Sequence, residues 1–177
     1  MKNKKIFFFS VFKYVVPAEY EQWFEELATT GWHPAKIGQF SSIAMRFEKS
    51  EPRKYRYVVD MQATPKKNYK QTYEDFGWEY VGKMASAYVW RKEYTNERPE
   101  SFSDNSSLKA RNHRFIVAIS VSFTIFVLST LAFLAVAIFS DLSSSERLQF
   151  GIASALFLVF AVLLGLAMIK IKKNIDK

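Results

Sequence analysis

Apolar residues run without a single Asp, Glu, Lys, Arg or His from Phe115 to Phe139, and again from Phe150 to Ile169. At the helical rise these runs span roughly 37 Å and 30 Å, enough to cross a hydrocarbon core of about 30 Å. The pattern predicts two transmembrane helices, residues 115–139 and 150–169, joined by a short loop at 140–149. Ser143 and Glu146 have the spacing of a capping box, so the second helix is expected to start near Ser144.

Before Phe115 the periodicity is that of a water-soluble domain. Lys5 to Tyr14 is aromatic and β-branched and reads as a strand. Pro17 suits a first helical position, and Tyr20, Trp23, Phe24 and Leu27 follow on one helix face. Glu19, Glu21, Glu25 and Glu26 read as the solvated face of that helix, with Gly31 as its left-handed cap. Strands are expected at Trp32–Ile37, at Ile43–Glu48 and at Tyr55–Met61. Thr64 and Pro65 are placed at the start of a second helix whose face carries Tyr69, Thr72, Tyr73 and Phe76. Gly77 ends it, and Trp78–Lys83 with Ser86–Tyr94 reads as a closing hairpin.

The pattern repeats. Gly31-Trp32 and Gly77-Trp78 lie 46 residues apart, and at the same offset Trp23 matches Tyr69 and Leu27 matches Tyr73. Each half is a β-α-β-β unit. The expected class is therefore α+β: a duplicated β-α-β-β domain over residues 1–94, with both helices on one face of a shared antiparallel sheet, followed by the transmembrane hairpin. Residues 95–114, with Glu97, Pro99, Glu100 and several Ser, read as a linker ending in a basic membrane flank.

Charge adds an orientation. The net charge is +8. Lys109, Arg111 and Arg114 precede the first span, and Lys170, Lys172, Lys173 and Lys177 follow the second, whereas the loop offers only Arg147 against Asp141 and Glu146. Positive charge collects on the cytoplasmic side, so both termini are expected in the cytoplasm of a two-span cell-membrane protein, with 140–149 external and 170–177 a cytoplasmic tail. Lys2, Lys4 and Lys5 before Ile6-Phe7-Phe8-Phe9 imitate a signal peptide, but the apolar stretch is brief and no small-residue cleavage site follows. There is no Cys, which excludes disulfides, thiolate nucleophiles and Cys-ligated metals.

A wider pattern runs through these elements: Trp23 and Leu27 before Gly31-Trp32, then Phe47-Glu48, Tyr55-Arg56-Tyr57-Val58-Val59-Asp60, Tyr73, Gly77-Trp78-Glu79-Tyr80-Val81, Tyr88 and Trp90. Over most of residues 7 to 93 it resembles the bacterial domain-of-unknown-function family numbered 2812. The resemblance implies a Gram-positive membrane protein with C-terminal transmembrane helices and a regulatory role linked to a PadR-type transcription regulator. It supplies no activity and no catalytic residues. The duplicated unit also looks like the fold of gyrase-inhibitor-like effector-binding domains, a likeness of fold alone.

The chemistry-bearing residues are few. His33 and His113, the two histidines, lack metal-ligand spacing. No phosphate loop, nucleophile elbow or zinc-protease motif occurs. Lys66, Lys67 and Lys70 with Tyr69 make a basic-aromatic cluster, but the surplus through Tyr94 is only 16 Lys+Arg against 11 Asp+Glu, so lipid or solvent is favoured over nucleic acid. The spans carry no ionisable residue for a proton or ion path. Ser120/Thr124 and Ala161/Gly165 permit close helix packing, within the hairpin or in self-association. If Tyr88 and Trp90 point away from the helices, they form an open aromatic wall near Arg46 and Asp60, suited to a flat or cationic ligand or an apolar partner. Those four residues are the candidate ligand- or partner-binding set; no catalytic residue, cofactor or metal is expected. The expected function is a membrane-anchored cytoplasmic sensor or interaction domain, acting by binding. Its partners would be the bilayer and a membrane protein or transcription regulator. The alternatives are an accessory subunit of a membrane complex such as an exporter and, last, an enzyme acting on a lipid or amphipathic substrate.

Overall fold

The computed structural model describes residues 3–100 and 105–174, which divide into two compact units, one up to Asn112 and one from His113 to Asn174. In the first unit the elements run β1 (Lys4–Phe8), α1 (Ser10–Lys13), α2 (Pro17–Thr29), β2 (Trp32–Pro34), a 3₁₀ turn (Gln39–Ser42), β3 (Ala44–Lys49), β4 (Tyr55–Met61), α3 (Tyr69–Asp75), β5 (Glu79–Met84) and β6 (Ala87–Glu93). Two long helices follow, α4 (Asn105–Phe139) and α5 (Ser144–Lys173).

The duplication is present in the backbone. Each half forms a three-stranded antiparallel sheet with its third strand in the middle, β1-β3-β2 and β4-β6-β5. Gly31 and Gly77 close α2 and α3 with the same φ of 77°, a left-handed conformation that side chains resist. The single shared sheet expected from the sequence is not what forms. The two sheets meet at one parallel bridge, Ile37 with Gly82. β2 stops at Pro34, which has no N–H to extend a ladder, and β5 carries a register shift between Tyr80 and Gly82. Gly82 permits the contact, because a Cβ there would collide with the Ile37 carbonyl.

Other boundaries moved for local reasons. β1 ends at Phe8 because Phe9 turns left-handed, with φ 53°, and starts the short α1. α3 begins at Tyr69 with Asn68 at its N-cap; the Thr64-Pro65 start expected from the sequence lies in the irregular segment ahead of it.

Trp23 organises the first core. It packs against Phe7, Tyr20 and Phe47 with ring centroids 5.2 to 5.4 Å away, and stacks on Tyr14 at 4.9 Å. Phe24 beside it reaches Tyr57 of β4, 5.2 Å away. Trp78 lies elsewhere, in a second cluster with Val58, Tyr88 and Trp90.

The second unit is a helical pair. Both helices are long and apolar enough to span a membrane. Phe126 packs on Phe157 and Phe160, and Phe133 on Phe150 and Phe157. The small residues are used within the hairpin: Ala161 is buried, and a Cβ at Gly165 would stand in contact with the Phe123 ring at 3.5 Å, leaving no room for a larger side chain in that direction. Ser143 caps α5 in a capping box with Glu146, as its spacing predicted.

Replacing Trp23 with Ala empties the centre of an aromatic cluster and is expected to cost about 3–5 kcal/mol. Urea unfolding of the full chain, followed by tryptophan fluorescence, measures it; an unchanged midpoint would contradict this core.

Candidate functional site

β4 is an edge strand of its sheet, and helix α2 lies along the open edge. An edge strand exposes unpaired N–H groups. Here two glutamates meet them: Glu21 Oε1 accepts from the Val59 N–H at 2.9 Å, and Glu25 Oε1 from the Tyr57 N–H at 3.2 Å. The match is geometric. Four residues of α-helix rise about 6.0 Å and two residues of strand about 6.6 Å, so carboxylates one turn apart register on alternate strand amides.

The carboxylates are neutralised by three arginines. Arg56 donates to Glu21 Oε2 through both Nη atoms at 3.1 Å, and to Glu25 Oε1 at 2.8 Å. Arg111 Nη1 donates to Glu21 Oε1 at 2.8 Å. Arg98 holds Glu25 with a fork of two bonds at 3.0 and 3.1 Å. Glu21 and Arg111 are each 1% exposed. Glu21 and Glu25 of the acidic face are thus not solvated, although Glu26 is exposed, and Arg111 is not simply a flank charge. Burial without partners would cost several kcal/mol per ion, and here each Glu21 oxygen has two donors. Sequence reasoning missed Glu21, Glu25, Arg56, Arg98 and Arg111. The available signal was that Glu21 and Glu25 follow Tyr20 and Phe24 at 100° steps, at the border of the buried stripe.

The predicted wall residues lie on the other side of β4. Asp60 pairs across the ladder with Tyr88, and Val58 with Trp90. Tyr88 and Trp90 point at α3, so they do not form the open wall expected if they faced away from the helices. Tyr73 of α3 stacks on Trp90 at 4.5 Å, and the Trp90 Nε1–H donates to the Tyr69 hydroxyl at 3.2 Å. Asp60, 1% exposed, accepts from Tyr69 at 3.0 Å, Gln62 at 3.1 Å and Tyr73 at 3.5 Å. Lys70 lies 3.9 Å from the Tyr80 ring centroid at the rim. The structure therefore brings Asp60, Tyr88 and Trp90 together and leaves Arg46 apart, exposed on β3 of the first sheet with no side-chain hydrogen bond to any of them among the described residues.

An open cleft of about 580 Å³ is lined by His33, Lys49, Arg53, Tyr55 and Arg91 among others. Its arginines are engaged: Arg53 with Glu93, and Arg91 with Glu79. His33 Nε2 bonds the Glu51 carbonyl at 2.8 Å. With that nitrogen donating, Nδ1 presents a buried lone pair. Among the described residues no cluster of three metal-ligating groups occurs. Stacking, cation–π contact and ion pairing are the chemistry these surfaces offer.

A family model described as "Protein of unknown function (DUF2812)" matches residues 17–127, more than half of the 177-residue chain. The chain belongs to the DUF2812 family. No curated protein and no solved structure matches it. The DUF2812 segment opens at the first residue of α2 and ends within α4, so it contains all five residues of the ion network and both glycine caps; β1 lies ahead of it.

Burial pushes the Tyr20 hydroxyl up to about 12 and also raises Tyr57; burial first and the Asp60 charge second raise Tyr69. The unfolded chain releases these protons near 10 while the folded one keeps them. Stability should therefore be lost as pH climbs from about 10 toward 12. Phenolate absorbance should rise in two phases, the later one coincident with unfolding and absent in denaturant. A single normal phase for all nine tyrosines, without unfolding, would contradict it.

Proposed function

We propose that this DUF2812 protein is a membrane-anchored sensor or interaction domain, regulatory and non-catalytic, with the duplicated domain and both termini in the cytoplasm. One observation carries the reading: helix α4 is continuous from Asn105 to Phe139, and its Arg111 is buried on Glu21, which also holds the edge of β4. A partner or ligand that strained β4 or α2 would act on the same carboxylate that grips α4. A flexible tether could not carry such a signal; a buried ion pair has two discrete states, made and broken. The likeness to a family associated with PadR-type regulators adds a direction for the output, a change in transcription.

Arg111→Gln separates this reading from that of an accessory subunit. As a sensor, the variant inserts but, at matched protein level, loses its effect on transcript levels. As an accessory subunit it behaves as wild type, while Gly165→Leu, which crowds Phe123 in the hairpin, loses the co-purified membrane partner. Transcript profiling with affinity purification from native membranes reads both. Wild-type transcripts in Arg111→Gln, with partner loss in Gly165→Leu, would overturn the sensor reading.

A further inference from the structure

Among the described residues, the sheet edges of the duplicated domain are answered except at one strand. The outer edge of β4 is met by Glu21 and Glu25. The edges at β2 and β5 meet through the Ile37–Gly82 bridge. β1 ends the first sheet, and no described strand or bridge pairs with its outer side.

Alternation along β1 decides what that side presents. The Phe9 N–H donates to the Ile43 carbonyl at 2.7 Å, and the Lys49 N–H to the Asn3 carbonyl at 2.9 Å. In this register the odd-numbered residues of β1 exchange hydrogen bonds with β3. The N–H and C=O groups of Lys4, Ile6 and Phe8 therefore turn to the open side. Phe7 turns inward to Trp23, so the side chains of Ile6 and Phe8 turn outward, 51% and 68% exposed. An open edge is commonly blunted by a mid-strand charge, a Pro or a bulge. β1 has none of these: its lysines sit at one end, and Ile6, Phe7 and Phe8 follow unguarded.

The edge matches itself. Antiparallel β1–β1 pairing about a two-fold axis at Ile6 sets Lys4 opposite Phe8 and uses every open group, about six hydrogen bonds in all. Ile6 then lies beside its own mate with Phe8 diagonal to it, so the exposed apolar side chains cover one another. Charge selects the same register. Lys4, paired with Glu48 at 3.5 Å, would face Phe8, and Lys5, 4.2 Å from the Trp32 ring centroid, would face Phe7. Of the neighbouring registers, one sets Lys5 against Lys5, and like charges directly opposite are destabilising; the other leaves Lys4 without a mate. Pairing with a strand of another protein would require none of this self-match. We infer that the protein pairs with a second copy through β1, joining the first sheets of two chains into one continuous sheet. The interface is isologous and closes on itself, so it makes dimers and not fibres. The inference goes beyond the regulatory reading above and does not rest on it.

The absence of cysteine makes the test clean. Full chains in mild detergent carry one substitution each, Lys4→Cys, Ile6→Cys or Phe8→Cys, and are oxidised with copper phenanthroline. Facing residues of a hydrogen-bonded pair have Cα atoms about 5.5 Å apart, within disulfide reach. Ile6→Cys should therefore cross-link to itself. Lys4→Cys should cross-link only when mixed with Phe8→Cys, because like positions would lie roughly 14 Å apart. Ile6→Pro, added to both members of the mixed pair, removes the outward N–H and leaves the ladder to β3 intact. It should slow cross-linking at least about tenfold, the scale of two hydrogen bonds lost at the axis, with an unchanged urea midpoint by tryptophan fluorescence. A lowered midpoint would contradict the outward placement of that N–H and the inference with it. No cross-link at Ile6→Cys would overturn the inference. So would Lys4→Cys and Phe8→Cys chains that cross-link alone as fast as when mixed, which would mark random collision, or a rate that Ile6→Pro leaves unchanged.

Discussion

Four hydrogen bonds converge on the Glu21 carboxylate, from Val59, from Arg111 and twice from Arg56. Three parts of the chain depend on them: helix α2, strand β4 and the start of helix α4. β4 has a ladder partner on one side only, so without the glutamates its amides would face solvent or another chain's edge. A strand could have filled the place. A helix does so here because its one-turn repeat approximates the two-residue repeat of a strand, and a carboxylate is an acceptor-only group. The negative charge this brings into the interior then requires guanidinium, which supplies several donors in a plane and keeps its charge when buried.

The two repeats share a backbone plan but not a role. α2 runs 13 residues and buries Tyr20, Trp23, Phe24 and Glu21; α3 runs seven and buries none. Trp23 and Tyr69 occupy equivalent positions, yet Trp23 is a core ring while Tyr69 turns its hydroxyl to Asp60. The first repeat is thus built around a dry aromatic core with an ion network along its edge. The second is a thinly covered aromatic layer with a carboxylate beneath. Duplication preserved the turns and strand order and released the helices to diverge.

Much of this was legible in the sequence, because glycine, proline and capping residues act locally. Gly31 and Gly77 announced the repeat, Pro17 the start of α2, and Ser143 with Glu146 the start of α5. The length of the two apolar runs marked the candidate spans. What escaped were long-range pairings. Glu21 and Arg111 are 90 residues apart and each looks like a surface charge alone. The facing of Tyr88 and Trp90 depended on where a seven-residue helix settled, and the split into two sheets on where β2 stopped. Arg46 belonged to the wrong sheet for the same reason: alternation assigns a face within a strand, not which sheet the strand joins.

The hold of the duplicated domain on α4 requires that Glu21 and Arg111 act as one unit. All four tryptophans lie before the spans, so their fluorescence reports unfolding of the duplicated domain within the full chain. A double-mutant cycle with Glu21→Gln and Arg111→Gln, read by urea unfolding in nanodiscs, measures the pair. Each single change should cost about 3–5 kcal/mol by stranding the other partner. The double change should cost less than their sum by at least about 1 kcal/mol. Two small costs that add within about 0.5 kcal/mol would contradict the claim that a buried ion pair joins helix α4 to the edge of β4.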